Sequence, residues 1–288
     1  MFKYLVKTSP YVNTMPDHPL KKQVVSCTFG DVSENHYGME QLGDISPENG
    51  GFNTDDLTKA HKIFEENEYT CELFDLGDLC DNISELPESH ILVIHNGANF
   101  FLEKQGKTTL DTATEFTKFD WDTKYWDTRR SKVLNKHARS NVCFGDESQE
   151  PDYENGKGRV VSYSDVKCLQ SIRDNLHIVL GEKGRDLKCE GNRYFDLGKC
   201  GIGWHGDAER RKVVAFRFGE QMSMNFNWFH RHKPIGIPLQ LDLDDGDMYI
   251  MSEYAVGTNW RQSSKYTIRH SAGSDKYTNL DRFKTSSN

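Results

Sequence analysis

Apolar residues in the first hundred positions fall into three short clusters. Residues 24–29 (Val-Val-Ser-Cys-Thr-Phe) read as a strand. Asn53 or Thr54 can cap a helix reaching about residue 67, because Leu57, Ala60, Ile63 and Phe64 recur on one helical face. Residues 91–94 (Ile-Leu-Val-Ile) form a continuous apolar run, which predicts a buried strand ended by His95-Asn96-Gly97. Residues 101–130 are polar and aromatic with weak periodicity. They predict a connection carrying Trp121, Tyr125 and Trp126. The pattern therefore suggests a small α/β region, which we bound at residues 1–128.

From about residue 130 the texture changes. Short β-like runs at 159–163, 213–218, 223–229, 238–243, 248–251 and 266–269 are separated by Gly and Asp turns, and one helix is expected over 164–180. Many short strands at regular spacing predict an antiparallel sandwich or barrel. The expected class is α+β: a jelly roll with flanking helices at 129–288, preceded by the α/β region.

Composition removes several alternatives. The longest apolar run is about four residues, so no transmembrane helix is expected. The first residues, MFKYLVKTSPYV, lack the apolar core of a signal peptide, which predicts an intracellular, cytoplasmic or nuclear setting. Seven cysteines without a CxxC pair argue against a disulfide framework and a zinc finger. With 36 Lys and Arg against 44 Asp and Glu, the net charge of −8 argues against a generic nucleic-acid binder. The charge is unevenly placed, however. Residues 128–139 hold Arg129, Arg130, Lys132, Lys136 and Arg139 with no acid, and Asp146, Glu147, Glu150, Asp152 and Glu154 follow. The basic stretch could meet phosphates or simply be a solvated face.

The most informative segment is Gly201-Ile202-Gly203-Trp204-His205-Gly206-Asp207. Side chains alternate along a strand, so His205 and Asp207 point to one side and could chelate a metal. A third ligand from a distant strand would complete a two-histidine, one-carboxylate set with open positions, as in non-haem Fe(II) oxygenases. The HxD spacing alone fits a surface turn equally well. His270, near the end of the last clear strand, is the candidate third ligand; His230 and His232 come too early and read as loop residues.

Asn192-Arg193-Tyr194, followed by Ile202-Gly203-Trp204-His205-Gly206-Asp207, resembles the N-x-Y … I-G-W-H-x-D block of the AlkB family of 2-oxoglutarate- and Fe(II)-dependent dioxygenases. Residues 136–146 (KHARSNVCFGD) are similar to that family's P-R-x-x-x-x-[FY]-G-D segment, which borders the nucleobase pocket. The resemblance covers about 130–288 and is nearest to AlkB-like proteins of large DNA viruses and some protists. It implies a double-stranded β-helix, with Fe(II) on His205, Asp207 and His270. It implies 2-oxoglutarate contacted by Asn192 and Tyr194, with O₂ as the oxidant. The co-substrate's distal carboxylate needs a guanidinium fork. Two registers supply one: Arg282, twelve residues after His270, or Arg269, if residues 266–269 match the family's last strand. The second register leaves no histidine for the distal ligand.

The same resemblance implies hydroxylation of a substrate C–H, with 2-oxoglutarate leaving as succinate and CO₂; an N-methyl group would leave as formaldehyde. The implied partner is nucleic acid with a flipped modified base. His137, Arg139, Phe144, Gly145, Asp146 and Trp204 are the candidate substrate contacts, and Arg210, with Arg211 and Lys212, could meet phosphates. Two other readings stay open. The same chemistry could act on a protein or small molecule, which the acidic balance favours. A metal-poor binding module would follow if the distal histidine were not a ligand.

Overall fold

The computed structural model describes residues 5–7 and 17–283. It is an α+β structure, mostly sheet with few helices, as expected. Two large sheets carry it. The eight-stranded sheet runs, edge to edge, Val160–Ser162, Ser140–Gly145, Lys188–Tyr194, Val24–Gly30, Val213–Gly219, Met248–Met251, His90–Ile94 and Cys71–Asp75. The five-stranded sheet runs Leu5–Lys7, Lys233–Leu243, Met222–His230, Thr267–Gly273 and Gly201–His205. Pairing is antiparallel except at one edge of each, where Val160–Ser162 joins Ser140–Gly145 and Leu5–Lys7 joins Lys233–Leu243 in parallel. The sheets face each other as an open sandwich, and neither closes into a barrel.

Strand alternation builds two cores from the larger sheet. In Val213–Gly219, Val213 and Ala215 join the inter-sheet core with Met224, Phe226, Trp228, Leu241 and Ile268. Val214, Phe216 and Phe218 face the other way, against a layer of helices. That layer includes Thr54–Glu66, Asn99–Leu102, Thr109–Glu115 and Lys167–Asn175, through Leu57, Phe64, Phe101, Ala113 and Leu169. The helix start at Thr54 follows the sequence expectation. Asn53 accepts from the Asp56 amide and Asp56 accepts from the Asn53 amide, both at 2.9 Å, which satisfies two amides that the helix leaves open.

The structure differs from the expectations in three places. Residues 101–130 are more than a connection. Thr108 and Asp111 form a second reciprocal cap that starts the helix Thr109–Glu115, whose buried face (Thr112, Ala113, Glu115) is too polar to show helical periodicity. The helix expected over 164–180 breaks at Leu176 into Lys167–Asn175 and His177–Leu180. Finally, the regions bounded at 1–128 and 129–288 do not have separate cores. The Val24–Gly30 strand lies between Lys188–Tyr194 and Val213–Gly219, pairing with both over most of its length. Nearby sequence cannot reveal such pairing, since the partners lie more than 150 residues away.

Without residues 1–128, three strands leave the larger sheet, and Lys188–Tyr194, Val213–Gly219 and Met248–Met251 each lose a partner. We expect a fragment of residues 129–288 to lack a cooperative thermal transition and dispersed amide NMR signals, whereas the full chain shows both. A dispersed, cooperative fragment would restore the two-domain division.

Candidate functional site

The site lies where the two sheets meet at one end of the sandwich. Gly201–His205 pairs with Thr267–Gly273 and places His205 directly opposite His270. Their ring centroids are 4.5 Å apart. The chain then turns through Gly206, where a Cβ would overlap the Gly257 backbone, and the Asp207 amide donates to the Val256 carbonyl at 3.0 Å. This fixes the carboxylate between the imidazoles: Asp207 Oδ1 is 3.4 Å from His205 Nε2 and 3.5 Å from His270 Nε2. The three donor atoms lie within 4.8 Å of one another.

The protonation pattern suits a cation. His205 Nδ1 lies 2.7 Å from the Gly203 carbonyl, which only accepts, so Nδ1 carries a proton and Nε2 is the nitrogen turned toward Asp207. Burial and the neighbouring His205 push the His270 imidazole below its ordinary value, against the pull of Asp207. Burial would raise the Asp207 carboxyl, but His270, His205 and Arg210 outweigh it and hold it well below the usual carboxylate range. A His270 imidazole held below its ordinary value and an ionised Asp207 carboxylate suit a divalent metal.

These side chains open onto a cavity of about 750 Å³ between the sheets. Its wall on the larger sheet carries Asn192, Tyr194, Ser26, Arg217 and Tyr249; Ile202, Met224 and Ala272 face them from the smaller sheet. Asn192 accepts from Arg139 Nε at 2.7 Å and from the Asn141 amide, and donates to Glu190 at 3.1 Å. At the mouth, the segment from Val32 to Ile45 meets Trp260 and Arg261. The Arg261 guanidinium stacks between Tyr37 (5.2 Å) and Trp260 (5.1 Å).

Arg210 anchors a charged cluster beside His205, Asp207 and His270. It is buried and donates to Glu190 at 2.7 Å and Glu209 at 2.9 Å, with Asp207 at 3.8 Å. Glu34 sits nearby on the same wall. Burial, with Glu209 and Glu190 close by, pushes its carboxyl up to about 7, against the Gly38 amide and Gln41 side chain that donate to it.

The expected residues are therefore divided. His205, Asp207 and His270 come together, and Asn192, Tyr194, Arg139 and Arg210 line the same cavity. Arg210 is not a phosphate contact at a hairpin tip, because its charge is taken up by Glu190 and Glu209. Arg211 likewise donates to Glu253 and to the Ser46 carbonyl, and Lys212 to the Lys183 carbonyl. Phe144 lies in the helix-side core against Phe116, Phe119 and Tyr163, so it is not a substrate contact. Gly145 ends that strand against Val160. Asp146 is exposed, 3.3 Å from Arg173. His137 is exposed and outside the cavity lining. Trp204 points out of the sandwich, packing on Phe229 and donating to the Thr278 carbonyl at 2.8 Å. Arg269 neighbours His270 in a strand, so its side chain takes the opposite face: it stacks on Phe229 at 4.3 Å and donates to the Trp260 carbonyl. Arg282 lies beside Gly203 and over Phe283, also outside the lining.

Sequence reasoning missed Arg217, Glu34, Glu190, Tyr249 and the Tyr37–Arg261–Trp260 stack. Arg217 left a signal: it is the one charged residue in the apolar run Val213-Val-Ala-Phe-Arg-Phe218. The mouth residues left none, because their loops meet only in the fold.

The arrangement defines a class: a two-sheet α+β protein with two histidines and a carboxylate grouped in a deep inter-sheet cavity. No family model matches the chain. The chain is 37% identical over 258 residues to "Uncharacterized protein R156" of Acanthamoeba polyphaga mimivirus, covering 89% of this chain and 98% of that protein. It belongs to the same family as that viral protein.

The raised Glu34 carboxyl gives a stability prediction with a definite sign. Below about pH 4.5 Glu34 is protonated in both folded and unfolded chains and imposes no penalty. Between about 4.5 and 7 the unfolded chain ionises first, so folding loses stability as pH rises. We expect Glu34→Gln to raise the melting temperature of the metal-free protein at pH 8 and to leave it unchanged near pH 4.5. An equal effect at both pH values would contradict the electrostatic origin.

Proposed function

We propose that the protein is an Fe(II)- and 2-oxoglutarate-dependent oxygenase that hydroxylates or demethylates a modified base in nucleic acid. The observation that carries the reading is the His205–Asp207–His270 cluster, whose donor types, tautomer and spacing fit one divalent ion with positions left open. We read the two facing sheets as an open form of the double-stranded β-helix implied by the AlkB resemblance. No described helix is long and apolar enough to cross a membrane, and the seven free cysteines fit a reducing, intracellular compartment.

Bound Fe(II), with 2-oxoglutarate and O₂, supplies the oxidising power for an unactivated C–H bond. The chain's own residues do the remaining work. His205, Asp207 and His270 would hold the ion, and the Gly203 carbonyl keeps the His205 ring oriented. Asn192 and Tyr194 stand on the wall where the co-substrate would lie. Met224, Ile202 and Ala272 keep water from the reacting carbon. For nucleic acid, the supporting observation is the hairpin of Lys124–Asp127 and Lys132–Asn135. It exposes Lys124, Arg129, Arg130 and Lys132 and rests on His36 of the cavity mouth through Tyr125, with rings 3.8 Å apart. The Tyr37–Arg261–Trp260 stack offers flat faces to a base.

A second reading, the same chemistry on a protein or small molecule, is favoured by Glu34, Glu190 and Glu209 at the same mouth, which repel a phosphate and suit a cationic substrate. Succinate release measured with methylated single-stranded DNA, methylated RNA and basic proteins separates the two.

We expect His205→Ala and His270→Ala each to abolish Mn(II) binding by calorimetry and to lower 2-oxoglutarate turnover at least about a hundredfold, since each removes one of three ligands. Full activity in His270→Ala would exclude it as a ligand and sink the reading.

A further inference from the structure

Among the buried basic side chains of the cavity, Arg217 stands apart. Its residue is 2% exposed, it lines the cavity, and its Nε and Nη1 have no hydrogen-bond partner among the described residues. Among the described residues its side chain makes one hydrogen bond, a weak one from Nη2 to Met224 Sδ at 3.6 Å across the gap between the sheets. The guanidinium also lies 5.8 Å from the Tyr249 ring. Among the described residues no carboxylate is paired with it, in contrast with Arg210, which has Glu190, Glu209 and Asp207 around it.

A buried guanidinium without an acid is costly, and folds keep one where an anion arrives from outside. The surroundings are built for that. The Arg217 amide donates to the Asp247 carbonyl at 2.9 Å, and its carbonyl accepts from the Gly246 amide at 2.8 Å, so the backbone is held at a rigid turn. Ser26 stands opposite Arg217 in the next strand, and Asn192 opposite Ser26 in the one after, which places three polar side chains in one row across the cavity wall. The far wall at this level, Met224 and Ala272, belongs to the strands that carry and flank His270. A ligand lying between the sheets can thus meet the metal cluster with one end and Arg217 with the other.

We infer that Arg217 receives the distal carboxylate of a short oxo-dicarboxylate, and that Arg269 and Arg282 do not. The inference rests on the oxygenase reading above. It moves the carboxylate contact from the strand of His270 to the facing sheet, so co-substrate binding would tie the two sheets together.

The test uses the full-length Mn(II)-loaded protein, with affinity measured by calorimetry for two probes of equal chain length. 2-Oxoglutarate has the distal carboxylate; 2-oxopentanoate has a methyl in its place. Wild type should prefer 2-oxoglutarate by at least about thirtyfold, the scale for removing one partner of a buried charge pair. Arg217→Met should bind both probes alike while retaining Mn(II), and Arg269→Met and Arg282→Met should keep the wild-type preference. Retention of the preference in Arg217→Met, or its loss in Arg269→Met or Arg282→Met, overturns the assignment and leaves the oxygenase reading standing. Should Arg217→Met fail to fold, Arg217→Lys carries the test. A point charge lacking the fork should weaken the preference, and an unchanged preference overturns the assignment. If wild type binds Mn(II) but neither probe, the oxygenase reading falls and this inference with it.

Discussion

The pairing of His205 with His270 across two antiparallel strands is the contact on which the site depends. Opposed residues in such a pair share one face of the sheet, so both imidazoles must turn into the sandwich together. The Thr267–Gly273 strand is held on its other side by Met222–His230, where His270 stands opposite Phe226 of the inter-sheet core. The histidines are therefore placed by the same apolar packing that joins the sheets. Asp207 completes the group only because Gly206 lets the chain pass close to Gly257. A displacement of the Gly201–His205 strand by one residue would turn His205 outward and leave Asp207 without its neighbours.

Burying that group creates an electrostatic problem that the fold resolves locally. Asp207 is flanked by imidazoles and Arg210, Arg210 by Glu190 and Glu209, and Glu190 in turn receives the Asn192 amide and the Glu34 backbone N–H at 3.0 Å. Each charge in the chain has an opposite or a donor as its next neighbour, and the sequence of contacts runs outward to the mouth. Arg217 lies at the inner wall, outside this chain. The cavity thus has an acidic mouth and, on its inner wall, a guanidinium with no carboxylate beside it among the described residues. An anionic group that passes the mouth meets that guanidinium.

Much of the fold was legible because strands whose side chains mostly face core keep dense apolar runs, even where one residue such as Arg217, Met224 or Tyr249 faces the cavity. Residues 213–218, 223–229 and 248–251 read correctly as strands for this reason. Lys188–Tyr194 did not read as one, since Glu190, Asn192 and Tyr194 face the cavity and give its inner face polar side chains. Ser140–Gly145 was noticed only as part of a motif that suggested substrate contacts, whereas its burial places Phe144 in the helix-side core. The His205–Asp207–His270 cluster was legible because it includes a short local spacing, HxD, and one late histidine. The place of Arg217 in the cavity was not, because a single arginine inside an apolar strand says that something polar is buried without saying what it meets.

Alternation could have decided one question earlier. Arg269 and His270 are adjacent in one strand, so a register that makes Arg269 a cavity residue expels His270 from the cavity, and the reverse. The structure takes the second arrangement: His270 faces Asp207, and Arg269 stacks on Phe229 behind the sheet. A two-histidine cluster and a carboxylate contact at Arg269 are therefore mutually exclusive on this strand. Because His270 faces the cavity beside Asp207, a guanidinium that shares the cavity must come from another strand. Arg217, on the facing sheet, satisfies that condition, and an anion lying between it and the metal ligands would span the same gap that the hydrophobic core closes elsewhere.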